Sequence, residues 1–236
     1  MKFVRVKTYE EMSTLAADLM AAQILVKPDS VIGLATGSTP VGMYKKLSKY
    51  NKAGKIDFAK VKSFNLDEYA GLDGTNEQSY RYFMNDKLFN HINIDMANTH
   101  VPNGCAADLA LEGEQYDAMI AEAGGIDMQL LGIGFDGHIG FNEPDDHFTA
   151  PTHGVVLDES TIDANSRFFE KREDVPTMAI SMGMRSIMQA KKILFVANGK
   201  GKEDIVNKAF FGPITPEVPA SILQLHPDVT VFFSEE

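Results

Sequence analysis

Four glycines, two acidic residues and one histidine share the stretch LGIGFDGHIGFNEP (131–144), directly behind an apolar run. Glycines at 132, 134, 137 and 140 argue against a regular helix and let the backbone turn sharply against a ligand. Asp136 and Glu143 flank His138 in the chain, and a carboxylate beside an imidazole fixes which ring nitrogen carries the proton. A ring held in one tautomer can pass protons to and from a hydroxyl, so the spacing points to an acid–base relay. Two other readings use the same residues. His138, Glu143 and His147 form a two-histidine, one-carboxylate donor set for a metal. Alternatively, the acids cap local backbone amides beside a structural histidine.

A second acidic position lies in FNLDEYAGL (64–72), where Asp67 and Glu68 end an apolar run. Strand alternation sends one of them toward a cleft and the other away. A carboxylate there, shielded by Phe64 and Leu66, is suited to take a proton from carbon next to a carbonyl; the plainer reading is an acidic turn facing water.

GLATGSTP (33–40) has the opposite affinity. The amides of 37–39, beginning at Gly37, and the hydroxyls of Thr36, Ser38 and Thr39 can converge on an anion, with Thr39 capping the next helix and Pro40 at its first position. The loop lacks the lysine of a nucleotide P-loop and is not GxGxxG, so neither ATP nor a dinucleotide is expected. A strand-to-helix turn with a good cap is the alternative. Arg167 in SRFF (166–169) and Lys202 in GKGKED (199–204) are cations of the kind a phosphate needs. Either alone is an ordinary solvated charge; their value depends on meeting the TGSTP loop in space.

Positioning these residues requires particular elements. Residues 1–6 read as a strand, and Thr8 with Glu11 forms a capping box ahead of a helix that ends before Pro28. Further strand-like runs at 31–35, 61–66, 129–133, 193–197 and 229–233 alternate with helical stretches at 41–50, 107–122 and 202–210. The alternation predicts an α/β fold: a single domain with a Rossmann-like, mainly parallel sheet covered by helices on both faces. Ligands of such sheets gather at the carboxyl ends of the strands, where all four segments above fall. Residues 145–177 are the least regular part and are expected to form a lid.

Bulk properties narrow the partners. A net charge of -11 disfavours a nucleic-acid partner, so an anionic ligand needs a local basic site. The lone Cys105 can form no internal disulfide, the N-terminus turns charged before any signal-like apolar segment, and no run approaches a bilayer span. A cytoplasmic protein without membrane contact is expected.

GLATGSTP, FNLDEY, LGIGFDGHIGFNEP, SRFF and PASILQLHP together resemble the glucosamine-6-phosphate deaminase family over essentially the whole chain. The resemblance implies conversion of glucosamine 6-phosphate and water to fructose 6-phosphate and ammonia, with no metal or organic cofactor. It also implies roles: Asp67 as the enolisation base; His138, supported by Asp136 and Glu143, in ring opening; and Thr36, Gly37, Ser38, Thr39, Arg167 and Lys202 on the phosphate. Larger members are hexamers with a C-terminal extension and a site for an acetylated amino-sugar phosphate. Here Asp145, Asp146 and His147 stand where those relatives have small and basic residues. Hyperbolic kinetics and a monomer or small homo-oligomer are therefore expected. A 6-phosphogluconolactonase would leave Asp67 and Glu143 poorly explained, and a sugar-sensing regulator would usually carry a helix-turn-helix segment.

Overall fold

The computed structural model describes residues 1–236, apart from the side chains of residues 164 and 168. The first half of the chain runs β1 (Lys2–Val6), α1 (Tyr9–Val26), β2 (Val31–Leu34), α2 (Val41–Lys52), β3 (Lys62–Asn65), β4 (Asp67–Tyr69), α3 (Tyr80–Lys87), β5 (Thr99–His100) and α4 (Leu109–Glu122). The second half runs β6 (Met128–Leu131), β7 (His153–Val156), α5 (Glu159–Asn165), β8 (Met178–Ser181), α6 (Met184–Met188), β9 (Ile193–Asn198), α7 (Glu203–Phe211) and β10 (Val229–Ser234). Thr8 caps α1 as the sequence predicts, its Oγ1 accepting from the Glu11 amide at 3.1 Å. The return bond is shifted by one residue, since Glu11 Oε2 accepts from the Lys7 amide.

The described residues form a seven-stranded sheet of order β1-β10-β9-β6-β2-β3-β5 in which each neighbouring pair is parallel. Every residue of β2 and β6 is buried, which requires cover on both faces of the sheet. Phe64 of β3 meets Tyr116 of α4 edge-on, and Phe195 of β9 meets Phe210 of α7 in the same way. The chain winds outward from the β2–β6 pair, through β3 to β5 on one side and through β9 to β10 on the other, where β1 forms the edge. The loops after β9, β6, β2 and β3 thus open side by side at one edge of the sheet, the place where such folds hold ligands.

Two features go beyond the sequence reading. The strand expected at 61–66 is β3, and after Leu66 the chain enters a second, antiparallel sheet of order β4-β8-β7. The segment 145–177 is not structureless, because it carries β7, α5 and short 3-10 turns. Its strand escaped notice because HGVV alternates between half-buried and exposed positions and pairs through one edge only, leaving no apolar run. The small sheet and this segment enclose their own apolar cluster of Tyr69, Phe141, Leu157, Ile162, Val175 and Ala179.

Candidate active site

Asp67 is the first residue of β4, where the chain leaves one sheet for the other. Alternation separates it from Glu68 as the strand period requires. The Glu68 carboxylate accepts from the amides of Tyr69, Tyr80 and Arg81 at 2.8–2.9 Å, so it is committed to the N-terminus of α3. Asp67 points the other way. It is 6% exposed, and its Oδ1 has no hydrogen-bond partner among the described residues. Burial, reinforced by the Glu68 charge and opposed by His138, pushes its carboxyl up to about 7. A carboxylate held this way is a ready proton acceptor near neutrality.

His138 lies on the loop after β6, within electrostatic reach of Asp67. Its Nδ1 lies 2.8 Å from Asp136 Oδ1 and 3.3 Å from Glu143 Oε2, while Asp136 Oδ1 also accepts the His138 backbone amide. Both carboxylates therefore meet one ring nitrogen, leaving Nε2 for a substrate. Burial would lower the imidazole, but the two carboxylates outweigh it and raise it to about 9. The ring is thus held toward its cationic form at neutral pH. Asp136 is held well below the carboxylate range: burial pushes it up, and His138 more than offsets this.

Glycine is required beside the ring, since a methyl group on Gly134 would fall 2.3–2.5 Å from three imidazole atoms. Ser181 of β8 fixes the two halves of the site relative to each other. It pairs with Asp67 across the small sheet, and its Oγ accepts the Phe141 amide from the His138 loop at 2.9 Å.

Lys202 and Arg167 are near enough for their charges to interact. Lys202, at the start of α7, donates to the Ile133 carbonyl at 2.7 Å, and its charge senses both Asp136 and Arg167. Burial lowers its ammonium to about 8, with Asp136 resisting and Arg167 assisting. The exposed ring of Phe135, which the sequence reading passed over, lies 3.5 Å from Lys202 Nζ, measured to the ring centroid.

Thr36, Gly37 and Thr39 are half-buried and Ser38 is exposed in the loop after β2, where Gly37 adopts φ +87°. Thr39 does not cap α2. Its hydroxyl instead donates to Asn198 Oδ1 at 2.8 Å, tying the loop to the end of β9 next to the Lys202 turn. Pro40 takes the cap position without a side-chain bond.

His147 does not join His138 and Glu143 as a donor set. It pairs with Asp145 and Asp146 on the surface, and both Asp136–His138–Glu143 and Asp145–Asp146–His147 have ligand atoms within 4.8 Å of one another.

The sequence pattern of the glucosamine-6-phosphate isomerases/6-phosphogluconolactonase family matches residues 6–232. The chain belongs to that family. Within the glucosamine-6-phosphate isomerase/6-phosphogluconolactonase family, it is 61% identical to a glucosamine-6-phosphate deaminase of Lachnoclostridium phytofermentans, over 98% of both chains. It is 55% identical to one of Clostridium botulinum (strain Kyoto / Type A2), over 100% of this chain and 97% of the relative. A solved monomeric glucosamine-6-phosphate deaminase superposes with a TM-score of 0.97 at 44% identity, covering 99% of this chain and 97% of that one. The 6-phosphogluconolactonase of Thermotoga maritima shares the fold, with a TM-score of 0.76 at 19% identity over 100% and 99% of the two chains.

Proposed function

We propose that the chain is an enzyme that converts glucosamine 6-phosphate and water to fructose 6-phosphate and ammonia. One observation carries the reading: a buried carboxyl at Asp67, with an unpartnered oxygen and a titration point near neutrality, lies within electrostatic reach of an imidazole whose Nδ1 sits 2.8 and 3.3 Å from two carboxylates. The names and identities of the full-length relatives support the same substrate.

The same residues can supply each step. As imidazolium, His138 gives its Nε2 proton to the ring oxygen while the C1–O5 bond breaks; the neutral ring then takes the proton from the C1 oxygen, leaving an open-chain aldehyde. That carbonyl acidifies the C2 hydrogen, which Asp67 removes while His138 returns a proton to the C1 oxygen, forming an enolamine. Returning the proton from Asp67 to C1 gives an iminium at C2, and water adds to this carbon and ammonia departs. None of these steps draws on a metal or organic cofactor.

Thr36, Gly37, Ser38, Thr39, Arg167 and Lys202 would grip the remote phosphate and so align C1 and C2, an orientation effect that reaches roughly 7–11 kcal/mol in favourable systems. Residues 145–177, which carry Arg167, would act as the lid over the sugar. Among the described residues no helix is long and apolar enough to cross a membrane. A cytoplasmic location, a monomer or small homo-oligomer, and hyperbolic kinetics complete the reading, the last supported by the exposed acids Asp145 and Asp146, which would repel a phosphorylated effector.

The test is to incubate the protein with glucosamine 6-phosphate in deuterated water while following ammonia, fructose 6-phosphate and label at C2. Turnover is expected in the wild type, with both turnover and exchange lost in Asp67→Asn. Exchange that persists in the variant would place the base elsewhere.

A further inference from the structure

The first turn of α2 exposes amide groups that its own cap position leaves unserved, because Pro40 offers no side-chain acceptor and Thr39 has turned to Asn198. The missing acceptor comes from another helix. Tyr9, at the start of α1, takes the Gly42 amide on its hydroxyl oxygen at 2.8 Å and donates the hydroxyl proton to the Ser38 carbonyl at 3.1 Å. One phenol thus spans the anion loop, holding a carbonyl within it and an amide in the helix turn behind it. The approach is close: a methyl group on Gly42 would lie 3.0 Å from the Tyr9 ring and 2.2 Å from Ser13 Oγ.

We infer that Tyr9 is a positioning residue for substrate phosphate, acting through the 36–40 loop without touching the ligand. The inference rests on reading that loop as the phosphate site. Oriented amides bind an anion well only if their directions are set before it arrives, since any ordering left to the binding step is subtracted from affinity. Ser38 is exposed, and Gly37 adopts a positive φ with no atom within 4 Å of where a side chain would begin, so packing contributes little to the shape of the tip. The Tyr9 hydroxyl on one side and Asn198 on the other define it instead. Tyr9 lies remote in sequence from the 36–40 loop, and the residue pattern gave no sign that it reaches it.

Tyr9→Phe removes both hydrogen bonds and keeps the ring. Its KM for glucosamine 6-phosphate should rise roughly five- to tenfold and its dissociation constant for inorganic phosphate by a similar factor, with kcat within twofold of wild type. A purely structural role would lower the melting temperature and leave both constants in place, and that result overturns the inference. Ser38→Ala and Thr36→Val separate the two levels. If they weaken phosphate binding while Tyr9→Phe does not, only the role of Tyr9 fails; if all three bind phosphate like wild type, the loop is not the phosphate site.

Discussion

Asp67 and Glu68 are adjacent in sequence and both buried, yet Glu68 accepts three backbone amides while Asp67 keeps an oxygen with no partner among the described residues. The two carboxyls differ in what the fold does with them. Glu68 completes the N-terminus of α3, so its desolvation is offset by oriented donors. Asp67 is desolvated without such compensation, and the neighbouring Glu68 charge adds to the penalty.

Removing the Asp67 charge should therefore raise stability while abolishing activity. A carboxyl moved from 3.8 to about 7 on folding opposes the folded state once it ionises. Stability linked to its proton is complete below about pH 4 and declines as pH rises through 7, by on the order of 4 kcal/mol when fully ionised. Melting curves of Asp67→Asn and wild type should coincide near pH 4, separate progressively between about pH 4 and 7, and keep a constant gap above pH 7, with the variant more stable. The contrasting Glu68→Ala should lose about 1–3 kcal/mol, since it strands buried amides. Equal melting temperatures for Asp67→Asn and wild type at pH 8 would show that the carboxyl carries no such burden.

The pH dependence of kcat/KM follows from three groups. Asp67 must be ionised, so activity should rise through about pH 7; Lys202 and His138 must be protonated, so it should fall as pH passes about 8 and then 9. Asp136 holds up both cations. Asp136→Asn should consequently move the alkaline limb to lower pH by about one unit, while the acid limb stays in place. Comparing variant with wild type cancels the titration of the substrate. An alkaline limb that does not move would dissociate Asp136 from His138.

Ser181 should matter to turnover without touching the sugar. Its hydroxyl joins the His138 loop to the strand paired with Asp67, so Ser181→Ala leaves the buried Phe141 amide unpaired, at about 1–3 kcal/mol of stability. Slackening the distance between acid and base should lower kcat roughly tenfold and leave KM nearly constant, because the loops proposed to hold the phosphate are other ones. Gly134→Ala should be harsher still, as its methyl group overlaps the imidazole. A Ser181→Ala enzyme with altered KM and normal kcat would contradict this division of labour.

Much of this arrangement was legible in the residues, for identifiable reasons. Parallel strands buried on both faces give continuous apolar runs, so β2, β6 and β9 stood out, and the chemistry-bearing loops follow those strands directly. The second sheet was hidden because β4 is three residues of DEY and β7 is HGVV, too short and too mixed to show a period. Thr39 looked like a cap because its type and its place before proline fit one; only tertiary structure supplies Asn198 as a better partner. Ser181 and Tyr9 carried no signal, since a serine in a buried strand and a tyrosine opening a helix are common. Phe135 did carry one: an aromatic side chain among glycines at a strand end has no core to enter.

That exposed ring leads to a last expectation. Lys202 is half-buried and titrates near 8, so at neutral pH its charge is only narrowly maintained. Phe135 places its π face 3.5 Å from the ammonium, a contact that favours the charged form by about 0.5–2 kcal/mol. Asp136 favours that form as well, and Arg167 opposes it. Phe135→Leu should therefore lower the Lys202 titration further, so the alkaline rise in KM for the phosphorylated substrate should begin at a lower pH. At pH 7.5 the variant should show a KM raised roughly three- to tenfold with kcat near wild type, and Phe135→Tyr, which keeps a π face, should restore it. Below pH 6, where the lysine is charged in either enzyme, most of the difference should vanish. If KM stays raised by the same factor at every pH, the ring acts through shape alone and not through the charge of Lys202.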